Sequence, residues 1–491
     1  MTPGVDLRLA LPAATAWLAA AVCCGLAPST TVVVIVVVAV AMTAAALGRR
    51  LVVAAVCIGA LLGAASAALH VAQLRSGPVA ALARTAHPRA DLVLTLVRDP
   101  TSRRDAHGRS YVLVDATVTK VGRHPARSPV LVIAHGGGWL DLLPGQRVRV
   151  NARLAPPRTG DDIAAVVLPR GRPVPVGQPP WWQRVAGVMR GRLRKACARL
   201  PPDERGLVPG LVVGDVSRMP PSLTDAFRVS GLTHLNAVSG ENCAIVLATV
   251  GALLRRTPLR RGARIAVAAA SLAAFVVLAR PSPSVLRAAT MGGAALLGMS
   301  VGRRAQPVPL LAAAVLLLVL TNPFLGRSVG FALSVVATAA IVLLASRWAD
   351  LLSRRMPRWL ALAVAVPAAA QVACTPLLVL VFGQATPWAV PANLLAAPAV
   401  GPATVAGIFT AVVAAVSPAM GALLAWTAAL PAAWLALVAR STAALPGASA
   451  RWPAGATGVG LLALVAGTVL VMYLAARRLS LRRAMLETWP R

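Results

Sequence analysis

GDVSRMPPSLTDAFRVSGLTHLNAVSGENCAIVL, residues 214–247, is a polar stretch in an oily chain. It carries Asp215, Asp225, Arg228, His234, Ser239, Glu241 and Asn242, then runs unbroken into apolar residues as far as Leu254. Two glycines, Gly231 and Gly240, stand inside what otherwise reads as helix. Each costs about 1 kcal/mol in a helix interior, so the pair predicts broken or closely packed backbone. Polar side chains and irregular backbone at membrane depth are tolerated where protein buries them or a water-filled cavity reaches them. The stretch therefore reads as the mouth and wall of a polar path through a membrane protein.

The flanking sequence agrees. Hydrophobic residues make up 57% of the 491 and charged residues 13%, which excludes an ordinary soluble domain. Bilayer-length apolar runs fall near residues 10–27, 31–48 and 51–73, then 232–254, 265–280, 285–301, 307–321, 328–347, 359–382, 388–415, 419–440 and 457–476, about twelve spans in all. The predicted class is an α-helical polytopic membrane protein of the plasma or inner membrane, with the lipid bilayer as its first partner. RRTPLRRGAR (255–264), GRR (302–304), RWADLLSRRMPR (347–358) and RRLSLRR (477–483) all fall on one side of such a chain. Basic loops stay cytoplasmic, so both termini are expected inside and the segment after the third span outside.

That segment changes period. Over 90–175 apolar and polar residues alternate, the mark of half-buried strands. In GQRVRVNARL, Val148, Val150, Ala152 and Leu154 share one face and Arg147, Arg149, Asn151 and Arg153 the other. A small extracellular barrel of five or six strands fits, and its arginine face suits a phosphate backbone or simply solvent. Tyr111 and Trp139 are the obvious aromatics for stacking. WWQRVAGVMRGRLRKACARL (181–200) follows, with basic residues at helical spacing behind two tryptophans, and reads as an amphipathic interfacial helix. The expected organisation is three helices over 1–75, the barrel over 90–175, the interfacial helix over 181–200, a helical channel domain over 205–476 and a basic tail over 477–491.

The net charge of +34, nearly all from arginine, fits either positive-inside topology or a polyanionic partner. Five of the six cysteines lie in apolar runs, with no CxxC, and the six histidines are scattered. No disulfide framework, metal site, cofactor or catalytic group is suggested.

Four segments, in order, resemble the ComEC-type competence proteins, membrane channels of bacterial DNA uptake. The first is the opening motif, with Gly214–Asp215, Phe227, Gly231, His234–Leu235, Ala237 and Ser239–Gly240. The others are PSVLRAATM (283–291), NPFLGRSVGFALSVVAT (322–338) and QVACTPLLVLVFGQATPWAVPANLLAAPAVGP (371–402). The resemblance implies that single-stranded DNA passes from an OB-like barrel through the helices to the cytoplasm. A helix-hairpin-helix DNA receptor and a separate helicase or nuclease would be further partners. It marks Asp215, His234, Ser239 and Gly240 as path-lining positions, with Arg287, Gly330, Phe331, Ser334, Gln371, Thr375, Pro376, Asn393 and Pro398 matching the later motifs. Two departures stand out. Glu241–Asn242 follows Ser239–Gly240 where many relatives have a His. No H-x-H-x-D-H cluster is present for a metallo-β-lactamase-like domain, so the expectation is a channel whose nuclease is another chain.

Read from the residues, Glu241 lies about ten residues into an apolar helix and calls for a partner such as Arg287 or Arg228. Asn393, between Pro391 and Pro398, reads as part of a broken helix facing the path or as an interhelical hydrogen bond. The competing function is transport or scaffolding of a lipid or cell-wall intermediate on the same fold.

Overall fold

The computed structural model describes residues 6–48, 50–85, 89–105, 107–158, 160–236, 238, 240–300, 306–448, 450–465, 467–468 and 472. Arg49, His87, Ser239, the GRR cluster at 302–304, the 477–491 tail and the end of the last apolar stretch lie outside them. The chain forms two compact units. The first is Met1–Pro220, His234–Val335 and Ala399–Ala433; the second is Pro221–Thr233, Val336–Pro398 and Trp434–Arg491.

In the first unit, α1 (Ala10–Cys23), α2 (Pro28–Leu47) and α3 (Leu51–Ser76) are helices of almost purely apolar sequence. Gly59 and Gly63, one turn apart on α3, lie so close to α1 that an added Cβ would collide with the Pro12 and Ala16 carbonyls. Small residues at such spacing let membrane helices pack backbone to backbone. On α2, Val33, Val37 and Val40 are 60%, 60% and 63% exposed, an apolar stripe that suits lipid and not water.

A short α4 (Pro78–Ala83) leads into the strands β1 (Arg89–Leu96), β2 (Thr101–Arg104), β3 (Ser110–Val121), β4 (His124–Ala134), β5 (Arg147–Ala155), β6 (Ala165–Pro169) and β7 (Val174–Gly177). Five of these close a barrel in the order β1-β3-β4-β6-β5, with β5 pairing back to β1; β2 hangs on β3 and β7 on β5. The β4–β6 pairing is parallel and the rest antiparallel, the arrangement of an OB-like Greek-key barrel. Inward residues fill it: Leu92, Leu94, Val114, Val132, Val148, Ala152 and Trp139 are wholly buried. Trp139 is therefore a core residue and cannot stack on a base. Tyr111 stays half-buried beside the His135 ring, 6.4 Å between centroids.

Beyond the barrel come α5 (Trp181–Ala196), α6 (Pro202–Val213), α7 (Pro221–Val229), α8 (Gly240–Arg255), α9 (Arg261–Ala279), α10 (Pro283–Ser300) and α11 (Pro307–Thr321). A helix with a π turn at Ile341–Ala345 joins α12 (Val329–Ala340) to α13 (Ser346–Leu352). Then follow α14 (Arg358–Phe382), α15 (Ala389–Val416) and α16 (Pro418–Ala443). Seven described helices are long and apolar enough to cross a bilayer, and Ala10–Cys23, Pro307–Thr321 and Ala456–Val465 are shorter apolar helices. Each of the twelve apolar stretches contains a helix. The protein is a helical polytopic membrane protein with a small β-barrel domain.

Two local expectations change. α15 runs unbroken through Pro391 and Pro398. Pro391 sits in the first turn, where no intrahelical N–H is needed, and the Asn393 side chain donates to the Ala389 carbonyl of its own helix at 2.7 Å. Gly231 and Gly240 are not inside helices. Gly231 follows the end of α7 with φ +75°, and Gly240 opens α8. Glu241 is consequently the second residue of α8 and not ten residues into it, an exposed carboxylate in the first turn where the helix dipole favours it.

Candidate functional site

The 214–247 stretch serves both units. Its middle part, Pro221–Thr233, belongs to the second. There Gly231 meets the start of α15 so closely that a Cβ would stand 2.7 Å from Ala389 Cβ and 3.4 Å from Thr386 Oγ1. Thr386 in turn accepts from Gln371 Nε2 at 3.2 Å, and Gln371 also reaches Thr375 Oγ1 at 3.2 Å. The opening motif and the 371–402 motif thus meet at a φ > 0 backbone position that glycine adopts without strain.

The two ends of the stretch, Gly214–Pro220 and His234–Leu247, belong to the first unit and gather the other motifs. α6 stops at Gly214, φ +69°, whose left-handed turn caps the helix and sets it against Val238. Asn242, 3% exposed, donates from Nδ2 to the Leu211 carbonyl at 2.9 Å, tying α8 to the end of α6. Ser284 donates to the Val238 carbonyl at 3.2 Å. A Cβ on Gly240 would stand 3.1 Å from Arg287 Nη2 and 3.2 Å from Ala288 Cβ, so α10 packs against bare backbone.

Arg287 is the centre of this cluster. It is 7% exposed, on α10, and donates from Nε to Ser334 Oγ at 2.9 Å and from Nη1 to Met291 Sδ at 3.3 Å. No ion pair of Arg287 or of Glu241 is found among the described residues, and Arg228 pairs instead with Asp225 at 3.2 Å. A guanidinium carries five donors in a rigid fork, so it keeps capacity for an acceptor. Phe331 does structural work, buried edge-on against Trp17.

Asp215 goes to a different cluster. Its Oδ1 accepts from Ser217 Oγ at 2.6 Å, and its Oδ2 lies 3.5 Å from Arg194 and 4.0 Å from Arg190. Burial pushes its carboxyl up, but the Ser217 hydroxyl, Arg190 and Arg194 outweigh burial and hold it below its ordinary value. Arg190 also lies 3.5 Å from Asp99, in the β1–β2 connection, and Arg280 grips both Asp99 oxygens at 2.8 and 2.9 Å while bonding Gln183. Arg192 donates to the Ala415 carbonyl. So α5 turns Arg190 and Arg192 inward and leaves Trp181, Trp182, Val185 and Val188 exposed. Arg280, Asp99 and Gln183 were missed. The usable signal was Arg280–Pro281, since a residue before proline is pushed out of the helical region, and Arg280 has φ +70°.

His234 is exposed on the 3₁₀ turn Thr233–Leu235. Ser239 lies outside the described residues, so its neighbours are not assigned. On the barrel, Arg147, Arg149 and Arg153 stand exposed in a row on β5, and β1 sets Arg89 opposite Arg153 across the register. Among the described residues no group of His, Cys, Asp and Glu could hold a metal.

Comparison with known proteins bears on this arrangement. A model described as Competence protein matches residues 211–477, the span of all four motifs. The chain belongs to this competence protein family. It is also similar to the ComE operon protein 3 of Bacillus subtilis (strain 168), 30% identical over 213 residues, which are 43% of this chain and 27% of that protein. The match thus spans about a quarter of the curated relative's length. No solved structure matches the chain. Three of the four motifs that mark it as a competence protein meet around Arg287, and the remaining one meets the opening motif at Gly231.

Proposed function

We propose that this chain conducts single-stranded DNA across the bacterial plasma or inner membrane during DNA uptake. The observation that carries the reading is Arg287. A buried guanidinium on an apolar helix, with hydroxyl and thioether partners but no carboxylate among the described residues, stands where the opening motif meets two others. Ionisable groups at membrane depth serve substrate paths more often than packing. A cation with no anionic partner among the described residues suits a polyanion in passage. Gly240 beside it keeps the approach free of side chain.

In this reading the barrel faces outside and both termini lie inside. The arginine row on β5 makes the first phosphate contacts, and His234 and Glu241 lie near the entry. A helix-hairpin-helix receptor delivers the strand. Nuclease and helicase work belong to other chains. The test is uptake of labelled DNA in a deletion strain of the source bacterium, complemented with the wild type or with Arg287→Met. Uptake should vanish on deletion, return with the wild type and stay low with Arg287→Met at equal membrane abundance. Undiminished uptake in the deletion strain would reject the reading. A changed lipid or cell-wall precursor profile there would point to the competing transport function.

A further inference from the structure

Where the barrel adjoins the first helices, within the first unit, there is a cavity of about 450 Å³ that the DNA reading does not use. Its walls come from the α1–α2 turn, the end of α3, α4 and the β5–β6 connection. Val71, Leu74 and Phe324 make one side apolar. Arg75, Arg84 and Arg158 line it as well, with Asp161 as the carboxylate among the described lining residues. A fourth arginine backs the β5–β6 connection: a Cβ on Gly160 would stand 2.9 Å from Arg327 Nη2.

No ion pair of these four arginines is found among the described residues. Asp161 is occupied locally, accepting from the Arg158 backbone N–H at 3.0 Å. Arg84 is pre-oriented by bonds to the Ala80 and Arg75 carbonyls, which leaves its remaining N–H groups for another acceptor. Several guanidiniums held together repel one another, and an anion between them relieves that cost. The planar fork of arginine matches phosphate oxygens two at a time. The apolar side matches a hydrocarbon chain, and the cavity adjoins α2 and α3, each long and apolar enough to cross a bilayer.

We propose that this cavity binds an anionic phospholipid, with its phosphate between Arg75, Arg84 and Arg158 and an acyl chain along Val71, Leu74 and Phe324. A nucleic acid strand fits less well, because Phe324 is the aromatic among the described lining residues and base binding needs successive stacking faces. The lipid would bridge the barrel to the first helices from the side. The inference stands whether or not the protein conducts DNA.

The test uses the full-length protein in detergent micelles. Native mass spectrometry would measure retention of phosphatidylglycerol and phosphatidylcholine, with inorganic phosphate or an oligothymidylate as competitor. Phosphatidylglycerol should be retained over phosphatidylcholine and resist both competitors at equal concentration. The variant R75Q/R158Q removes side chains with no bonding partner among the described residues, and should weaken retention about tenfold or more. Leu74→Trp, which fills the apolar side without touching charge, should also expel the lipid. Equal retention of the two lipids, or full retention in both variants, overturns the proposal. Displacement by inorganic phosphate would mean a free-anion site and displacement by the oligonucleotide a nucleic-acid site, and either overturns the lipid assignment.

Discussion

Replacing Arg190 by Met removes the side chain that touches both carboxylates linking the barrel to the 214–247 stretch. Arg190 is 11% exposed, lies 3.5 Å from Asp99 and 4.0 Å from Asp215, and donates to the Val213 and Leu278 carbonyls. Breaking a buried pair costs about 3–5 kcal/mol when the survivor is left uncompensated. Here neither survivor is. Arg280 holds Asp99 through two bonds, and Arg194 stays 3.5 Å from Asp215. The loss then reduces mainly to two charge-assisted bonds, at about 1.5 kcal/mol each, so about 3 kcal/mol. Asp215→Asn keeps the Ser217 bond and should cost about 1–2 kcal/mol. Because the two residues share one contact, the double variant should lose about 1 kcal/mol less than the sum. Urea unfolding of the full chain in micelles, followed by tryptophan fluorescence, measures all three. An Arg190→Met within about 0.5 kcal/mol of wild type, or a cycle additive to that margin, would refute the network as an energetic unit.

The same carboxylate sets a pH dependence. Its folded value lies below the ordinary 3.8, so the folded state binds fewer protons, and the contribution is full above 3.8 and lost as pH falls through the folded value. Asp215→Asn should flatten the acid limb of the stability curve below about pH 4 and leave neutral pH slopes unchanged. Arg147, Arg149 and Arg153 changed together to Ala should weaken binding of single-stranded DNA by the full-length protein and reduce its salt slope by about 2, at about 0.7 per phosphate contact; an unchanged slope would clear that face of the role. Gly240→Leu should cost about 1–3 kcal/mol by overpacking against Arg287 and Ala288, whereas Gly240→Ala, at 3.1–3.2 Å, should be milder in both stability and uptake. Reporter fusions after residues 120 and 483 should report outside and inside respectively, and a cytoplasmic signal from the first would overturn the topology.

The parts legible in the sequence were those written as period. Val148, Val150, Ala152 and Leu154 alternate with polar neighbours, and β5 buries and exposes them in that order. The apolar runs are simple enough in composition that their helices follow from length. Polar positions were less legible, because sequence gives the residue but not its partner. Asp215 read as a path-lining carboxylate, yet its neighbours are arginines of a helix some twenty residues earlier. Arg190 and Arg192 read as part of a basic face and turn inward, since backbone carbonyls and Asp99 wait there. Trp139 read as a surface ring and became the barrel's largest core residue. Arg287 was marked by the motif and as a candidate partner for Glu241; that it pairs with no carboxylate among the described residues could be seen only once Ser334 and Met291 were beside it.

The division of the 214–247 stretch has a consequence for synthesis. Pro221–Thr233 is grouped with Val336–Pro398 and Trp434–Arg491. Ala389, against which Gly231 closes, leaves the ribosome roughly 160 residues after it, on the order of ten seconds later. Until Val336 is made, the α7 segment has nothing from the rest of its own unit to pack on, while the chain on either side of it can already pack. A nascent chain of this protein must therefore hold a short polar segment in reserve at the membrane, available to chaperones or proteases, until its last third arrives. A truncation near residue 335 would strand that segment permanently, and quality control acting on it would remove the shortened chain before any loss of function could be scored.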